Sequence, residues 1–327
     1  MPKRIVDLNS EVPLLDIVSY GRAFRPTRER QLQIALTVGR IPEVMVRVTG
    51  GARTVGGVTE HMSYIGRDGN LGLETDMGER VDGKGFARKL AEDWDLDIEA
   101  HPRQSERAIR VRKPPKLVHN VFFSMPSGTP PAKVLQAVRM LAANEWQLKH
   151  RYAMALHTDQ DHPHVHVVIK AMGEQGNRLN IRKATLRFWR SQFAANLREL
   201  GVAANATERA VRGQTRTHKA SGIYRADQRQ SSSHIRNRQE QVLREAQEGG
   251  QLRDSGHFVM DRTRQAVVAG WRNVEARLRE GGNHALADDV RSFVERMPHV
   301  QTEKELLADK LLNRERSHSI DSQEKVR

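Results

Sequence analysis

The sequence predicts an α+β fold: a mainly antiparallel central sheet flanked by helices, followed by an α-helical C-terminal extension. Three observations predict it. Short β-branched and aromatic runs alternate with stretches of helical apolar spacing between residues 41 and 215. Residues 152–169 read as a hairpin whose polar loop holds Asp161 and Pro163. Beyond about residue 215 only helical stripes remain.

Residues 1–40 read as a basic N-terminal arm, because Arg22, Arg25, Arg28, Arg30 and Arg40 charge it and Pro13 and Pro26 interrupt any long helix. Such an arm suits contact with a polyanion. Glu43 to Val48 forms a strand ending at Gly50-Gly51. Thr54 is a candidate N-cap for a helix whose buried face is Val55, Val58, Met62 and Ile65, stopped by Gly66 and Gly69. Residues 70–82 suggest a hairpin at a sheet edge, Phe86, Leu90 and Trp94 a second helix, and 99–115 a basic loop. Lys116 to Ser124 is a strand, and Met125 to Thr129 turns the chain. Val134, Val138 and Leu141 mark a third helix. Leu186, Phe193, Leu197 and Leu200 mark a fourth, which also carries Arg182, Lys183, Arg187, Arg190 and Arg198. Those cations suit a solvated face and phosphate contact equally. In the region 216–327, Val267/Trp271/Val274/Leu278, Leu286/Val290/Phe293 and Leu306/Leu307/Leu311 are three helical stripes, with a frayed end after about 314.

The hairpin carries the chemistry. Residues 157–166 hold four histidines and two aspartates. Strand side chains alternate between faces, so His164 and His166 share one face. If His157 pairs with His164, Ala155 lies opposite His166. One face then carries Ala153, Ala155, His157, His164, His166 and Val168, and is expected to be open. The other carries Tyr152, Met154, Leu156, Val165, Val167 and Ile169, a core face. A slip of one residue would break this division. Three imidazoles on one face suit a single divalent metal with open positions; Mg, Mn and Zn all remain eligible. Asp159 and Asp161 are expected to hold the outer ring N–H groups.

Composition narrows the partner. Lys and Arg total 54 against 40 Asp and Glu, a net charge of +14. Residues 1–214 hold 33 and 23 of these, so most of the excess lies with the histidines. A basic domain implies a polyanion, most often nucleic acid. The absence of cysteine excludes disulfides, Fe–S clusters, thiolate zinc sites and cysteine nucleophiles. No apolar run approaches a membrane span, and the first residues lack a signal-peptide core, so the expectation is a cytoplasmic protein without membrane insertion.

A nuclease also needs a nucleophile: water, Ser or Tyr. Tyr152 faces the core, Tyr224 lies in a linker and Tyr20 in the arm. Tyr64 alone sits on a helix directly after the first strand, beside a glycine-rich turn. Here the sequence resembles conjugative relaxases of the HUH endonuclease superfamily, in the branch of mobilisation nucleases that includes the T-DNA border endonuclease. The His, Asp, Pro-His-hydrophobic-His array of that branch matches 157–166. Its Tyr-hydrophobic-small-Arg-x-Gly motif matches Tyr64-Ile65-Gly66-Arg67-Asp68-Gly69. Its Ser and Pro-x-Gly turn match Ser124-Met125-Pro126-Ser127-Gly128. The resemblance covers about 41–215 and leaves the arm and the C-terminal region outside.

The resemblance implies a relaxase domain at 41–215 that nicks and rejoins single-stranded DNA at a transfer origin for conjugation. Tyr64 would attack and keep the 5′-phosphate. His157, His164 and His166 would hold the metal. Asp159 or Asp161 would orient a ligand or act as base, and Arg67, Ser124, Arg182, Lys183 and Arg187 would contact DNA. Implied partners are supercoiled transfer-origin DNA, accessory relaxosome proteins and a type IV secretion coupling protein. Two rivals stand beside this reading: a rolling-circle replication initiator with the same chemistry, and a non-enzymatic DNA-binding protein whose metal is structural.

Overall fold

The computed structural model describes residues 27–96, 114–214, 233–247, 255–309 and 311. The arm up to residue 26 with Tyr20, nearly all of the basic loop at 99–115, the linker with Tyr224 and the end after 314 lie outside the described residues. The described chain is α+β. It falls into two compact units, 40–206, and 1–39 together with 207–327.

In the unit at 40–206, β1 (Met45–Gly50) leads into α2 (Val55–Ile65), which follows α1 (Arg28–Val38) of the other unit in chain order. Next come β2 (Leu73–Thr75) and β3 (Arg80–Val81), then α3 (Phe86–Asp93) and β4 (Val118–Ser124). The unit closes with α4 (Pro131–Glu145), β5 (Tyr152–His157), β6 (His164–Lys170) and α5 (Lys183–Glu199). The strands form one antiparallel sheet in the order β1-β4-β6-β5-β2-β3, with the short β2–β3 hairpin at its edge.

The central hairpin has the expected register: His157 faces His164, Leu156 faces Val165 and Ala155 faces His166. Alternation divides the sheet into two faces. Tyr152, Met154, Val165, Val167 and Ile169 join Val121 and Phe123 under α4 and α5, where Trp146 packs edge-on to Trp189 at 5.2 Å between ring centroids. The opposite face differs from the expectation of an open surface. Ala153, Ala155 and Val168 are buried beneath Val58, Met62 and Ile65 of α2, Phe86 and Leu90 of α3, and Trp94 at its C-cap. The physical reason is size: alanine side chains let a helix lie close to the strands, so small residues there mark covered sheet. The histidines occupy the end of this face.

The ends of α2 are set locally. The Thr54 hydroxyl accepts from the Gly57 N–H at 3.2 Å, capping the N-terminus as its position implies. At the other end a Cβ on Gly66 would lie 2.5 Å from Cζ of Phe86, so only glycine lets α2 finish against α3.

The second unit is helical: α1, α6 (Ser233–Gln247), α7 (Ser255–Glu280) and α8 (His284–Glu295), with further helix at 303–309. Ile34 and Val38 of α1 pack with Val267, Trp271, Val274, Leu278, Leu286, Val290 and Phe293, so two of the expected C-terminal stripes form this core. Residues 28–38, expected as arm, are thus a helix; Thr27 caps it, and only Ile34 and Val38 supply large apolar burial, too few for a readable stripe. The helix at 233–247 was likewise not expected from the sequence. No helix among the described residues is long and apolar enough to cross a membrane.

Candidate metal centre and nuclease site

His157 ends β5 and His164 and His166 lie on β6, so one strand pair delivers all three rings. His157 and His164 are 4% and 3% exposed. One nitrogen from each ring lies within 4.8 Å of the others, and the ring centroids are 4.7–5.2 Å apart.

Backbone carbonyls orient two rings. His157 Nε2–H donates to the Ile65 carbonyl at 2.7 Å, and His164 Nδ1–H donates to the His162 carbonyl at 3.1 Å. A carbonyl only accepts, so these contacts fix the tautomers and leave His157 Nδ1 and His164 Nε2 as lone pairs. This corrects the expectation that Asp159 and Asp161 hold the outer N–H groups. The C-terminal end of α2 and the loop before β6 present carbonyls where the rings need acceptors. Asp159 instead lies on the ligand side, its Oδ1 3.9 Å from His157 Nδ1.

Burial and neighbouring charges favour the neutral form of His164 and His166. Burial, partly offset by the His162 carbonyl and reinforced by His157, lowers the pKa of His164. Burial, then His157, His164, His61 and Arg67, push His166 down to about 3. Neutral imidazole is the form that binds a metal. Three converging imidazoles, two of them with tautomers fixed by carbonyls, therefore fit a divalent ion held by His157, His164 and His166.

Tyr64 lies in the last turn of α2 and is 61% exposed. The next residue, Ile65, supplies the carbonyl that holds His157. The His61 ring stacks on Tyr64 at 6.4 Å, and the Arg67 guanidinium lies 5.9 Å from the Tyr64 ring centroid. Arg67 also pairs with Asp159. Burial raises the Asp159 carboxyl, but its own backbone N–H, Arg67 and His157 outweigh that and hold it low. Asp161 is exposed in the same loop.

Ser124 is buried directly opposite His164, with its hydroxyl 3.4 Å from the Met125 carbonyl. Phe122, opposite His166, lies 5.0 Å and 5.3 Å from the His164 and His166 rings. Alternation from Ser124 along the strand is the sequence signal that puts Phe122 on the histidine face. Arg182, Lys183 and Arg187 are not brought to the triad. They belong to α5, which packs on the opposite face of the sheet.

Comparison with known proteins follows the same residues. The family model described as relaxase, MobA/VirD2-like, nuclease domain matches residues 64–201, beginning at Tyr64. The chain is 26% identical over 188 residues to the T-DNA border endonuclease VirD2 of Rhizobium radiobacter, covering 52% of this chain and 43% of that protein. It is 25% identical over 209 residues to its namesake in Agrobacterium fabrum strain C58, covering 59% and 46%. The matched stretches thus span less than half the length of these relatives. The sheet, the histidine face and the matched residues agree: residues 64–201 are similar to relaxase nuclease domains of the MobA/VirD2-like type.

Proposed function

We propose that the chain nicks one DNA strand at the transfer origin of a plasmid or integrative element and rejoins it, through a 5′-phosphotyrosine on Tyr64, for conjugative transfer. One observation carries the reading. The hydrogen bond from His157 to the Ile65 carbonyl ties the exposed Tyr64 turn to three converging imidazoles. The proposed nucleophile and the proposed ligands are thus linked through one hydrogen bond.

In this mechanism Tyr64 Oη bonds to the scissile phosphorus as the bond from phosphorus to O3′ breaks. The phenol proton passes to a carboxylate; Asp159, beside Arg67, is better placed than Asp161. The 5′-phosphate stays on Tyr64 and the O3′ leaves, taking up a proton. One phosphoester replaces another, so rejoining needs no ATP. A divalent ion at His157, His164 and His166 would withdraw charge from the phosphate as a Lewis acid; three imidazoles favour Mn or Zn over Mg. Arg67 and Ser124 serve DNA at the cut, and Arg182, Lys183 and Arg187 serve phosphates away from it. The nuclease domain occupies 41–215. The helical region after it docks accessory relaxosome proteins or a type IV coupling protein, and the reaction runs in the cytoplasm.

Elemental analysis tests the ligand set. The wild type should bind one divalent ion per chain, and replacing His164 and His166 together by Ala should abolish both that ion and nicking. Unchanged stoichiometry in the double variant would refute the assignment.

A further inference from the structure

Arg67 stands where a metal-binding domain has least use for a cation. One of its terminal nitrogens, NH2, lies 3.4 Å from His157 Nδ1, the ring nitrogen left with a lone pair once Nε2–H donates to Ile65. The same nitrogen is paired with Asp159. His157 cannot turn its ring to escape, because Nε2 is committed to the Ile65 carbonyl at 2.7 Å. Nδ1 has one lone pair, so a guanidinium N–H and a metal ion compete for it.

The backbone fixes the competitor in place. Arg67 and Asp68 adopt φ of 53° and 55°, and Gly69 follows at 91°. Two successive non-glycine residues in the left-handed region are uncommon and persist where the surroundings impose them. Here the Asn70 side chain donates to the Arg67 carbonyl at 2.9 Å, and Gly69 packs against the Gly83 backbone so closely that a Cβ would lie 2.4 Å from the Gly83 oxygen.

We infer that Arg67 is a gatekeeper of the metal centre: held on Asp159, its guanidinium competes with the divalent ion at His157 Nδ1 until a DNA phosphate draws it away. A guanidinium fork matches a phosphate as well as it matches a carboxylate. Moving Arg67 onto the substrate frees the lone pair and removes a like charge from the ion. DNA and metal then bind with mutual enhancement, because each stabilises the same position of Arg67. The inference rests on the proposed function for the presence of metal and DNA at this site.

Titration of the full chain with Mn²⁺ alone, followed by the spectroscopic signal of free Mn²⁺, tests it. Asn and Gly both accept φ near Arg67's, so Arg67→Asn and Arg67→Gly remove the charge without straining the turn. Both variants should bind Mn²⁺ about tenfold tighter than the wild type, as loss of one nearby like charge requires. A short single-stranded oligonucleotide should tighten Mn²⁺ binding to the wild type and have little effect in the variants. If Arg67 merely props the loop, the variants melt earlier and bind Mn²⁺ equally or more weakly, which overturns the inference. Equal tightening of all three proteins by the oligonucleotide also overturns it. The wild type and the His164/His166 double alanine variant separate the two levels. If they bind Mn²⁺ alike, the triad assignment fails and the gate with it; if only the Arg67 variants match the wild type, the gate alone fails.

Discussion

Two imidazoles of the triad donate to backbone carbonyls, His157 to Ile65 and His164 to His162. Their roles therefore depend on where helix α2 and the hairpin loop end as much as on the histidines themselves. Five imidazoles, His61, His119, His150, His164 and His166, are held below their usual pKa, in each case first by burial. The sign of the consequence is fixed. The unfolded chain takes up protons near pH 6.5 and the folded chain only at lower pH. Their contribution to stability is thus complete above about pH 6.5 and is lost as pH falls toward the folded pKa values. Thermal melting of chelator-treated protein should show Tm falling steadily from pH 7 to pH 5. His119→Gln, remote from the triad, should flatten part of that slope, and a Tm constant over the interval would contradict the reading. At this scale the sequence was legible for residue type and face. Three histidines, Tyr64 and Ser124 could be named from spacing and motif. The carbonyl partners could not, because a main-chain acceptor leaves no mark in the sequence.

The hairpin β5–β6 and helix α2 carry the site as elements. Their register was readable because the Tyr152/Met154/Val165/Val167 face is uniformly apolar, and a one-residue slip would have exposed it. The helical cover over Ala153 and Ala155 was not readable, since small residues suit an open face and a closely packed one alike. Helices α1 and α6 escaped notice for a different reason: both are dominated by charged and polar residues, so propensity and packing rather than an apolar stripe define them. Gly66 gives a test of how α2 is seated. Gly66→Ala places a methyl against the Phe86 ring and should cost about 1–3 kcal/mol of stability, as overpacking does. Phe86→Leu in the same chain should recover part of the loss, a coupling that a double-mutant cycle in denaturant measures. Additive losses would mean that the ring is not what requires glycine.

The molecule comprises a sheet-based unit and a helical unit whose core draws on both ends of the described chain. A net +14 charge suits a partner with a phosphate backbone, and the family model matches residues 64–201. The proposed function turns on a covalent link at Tyr64. The direct measurement is mass spectrometry of the protein after incubation with single-stranded transfer-origin DNA from its own replicon and a divalent metal. One peptide, spanning Tyr64, should be heavier by the 5′-phosphorylated fragment, and a folded Tyr64→Phe protein should give no adduct. An adduct on Tyr20, an adduct that survives Tyr64→Phe, or cleavage with no protein-bound DNA at all would contradict it.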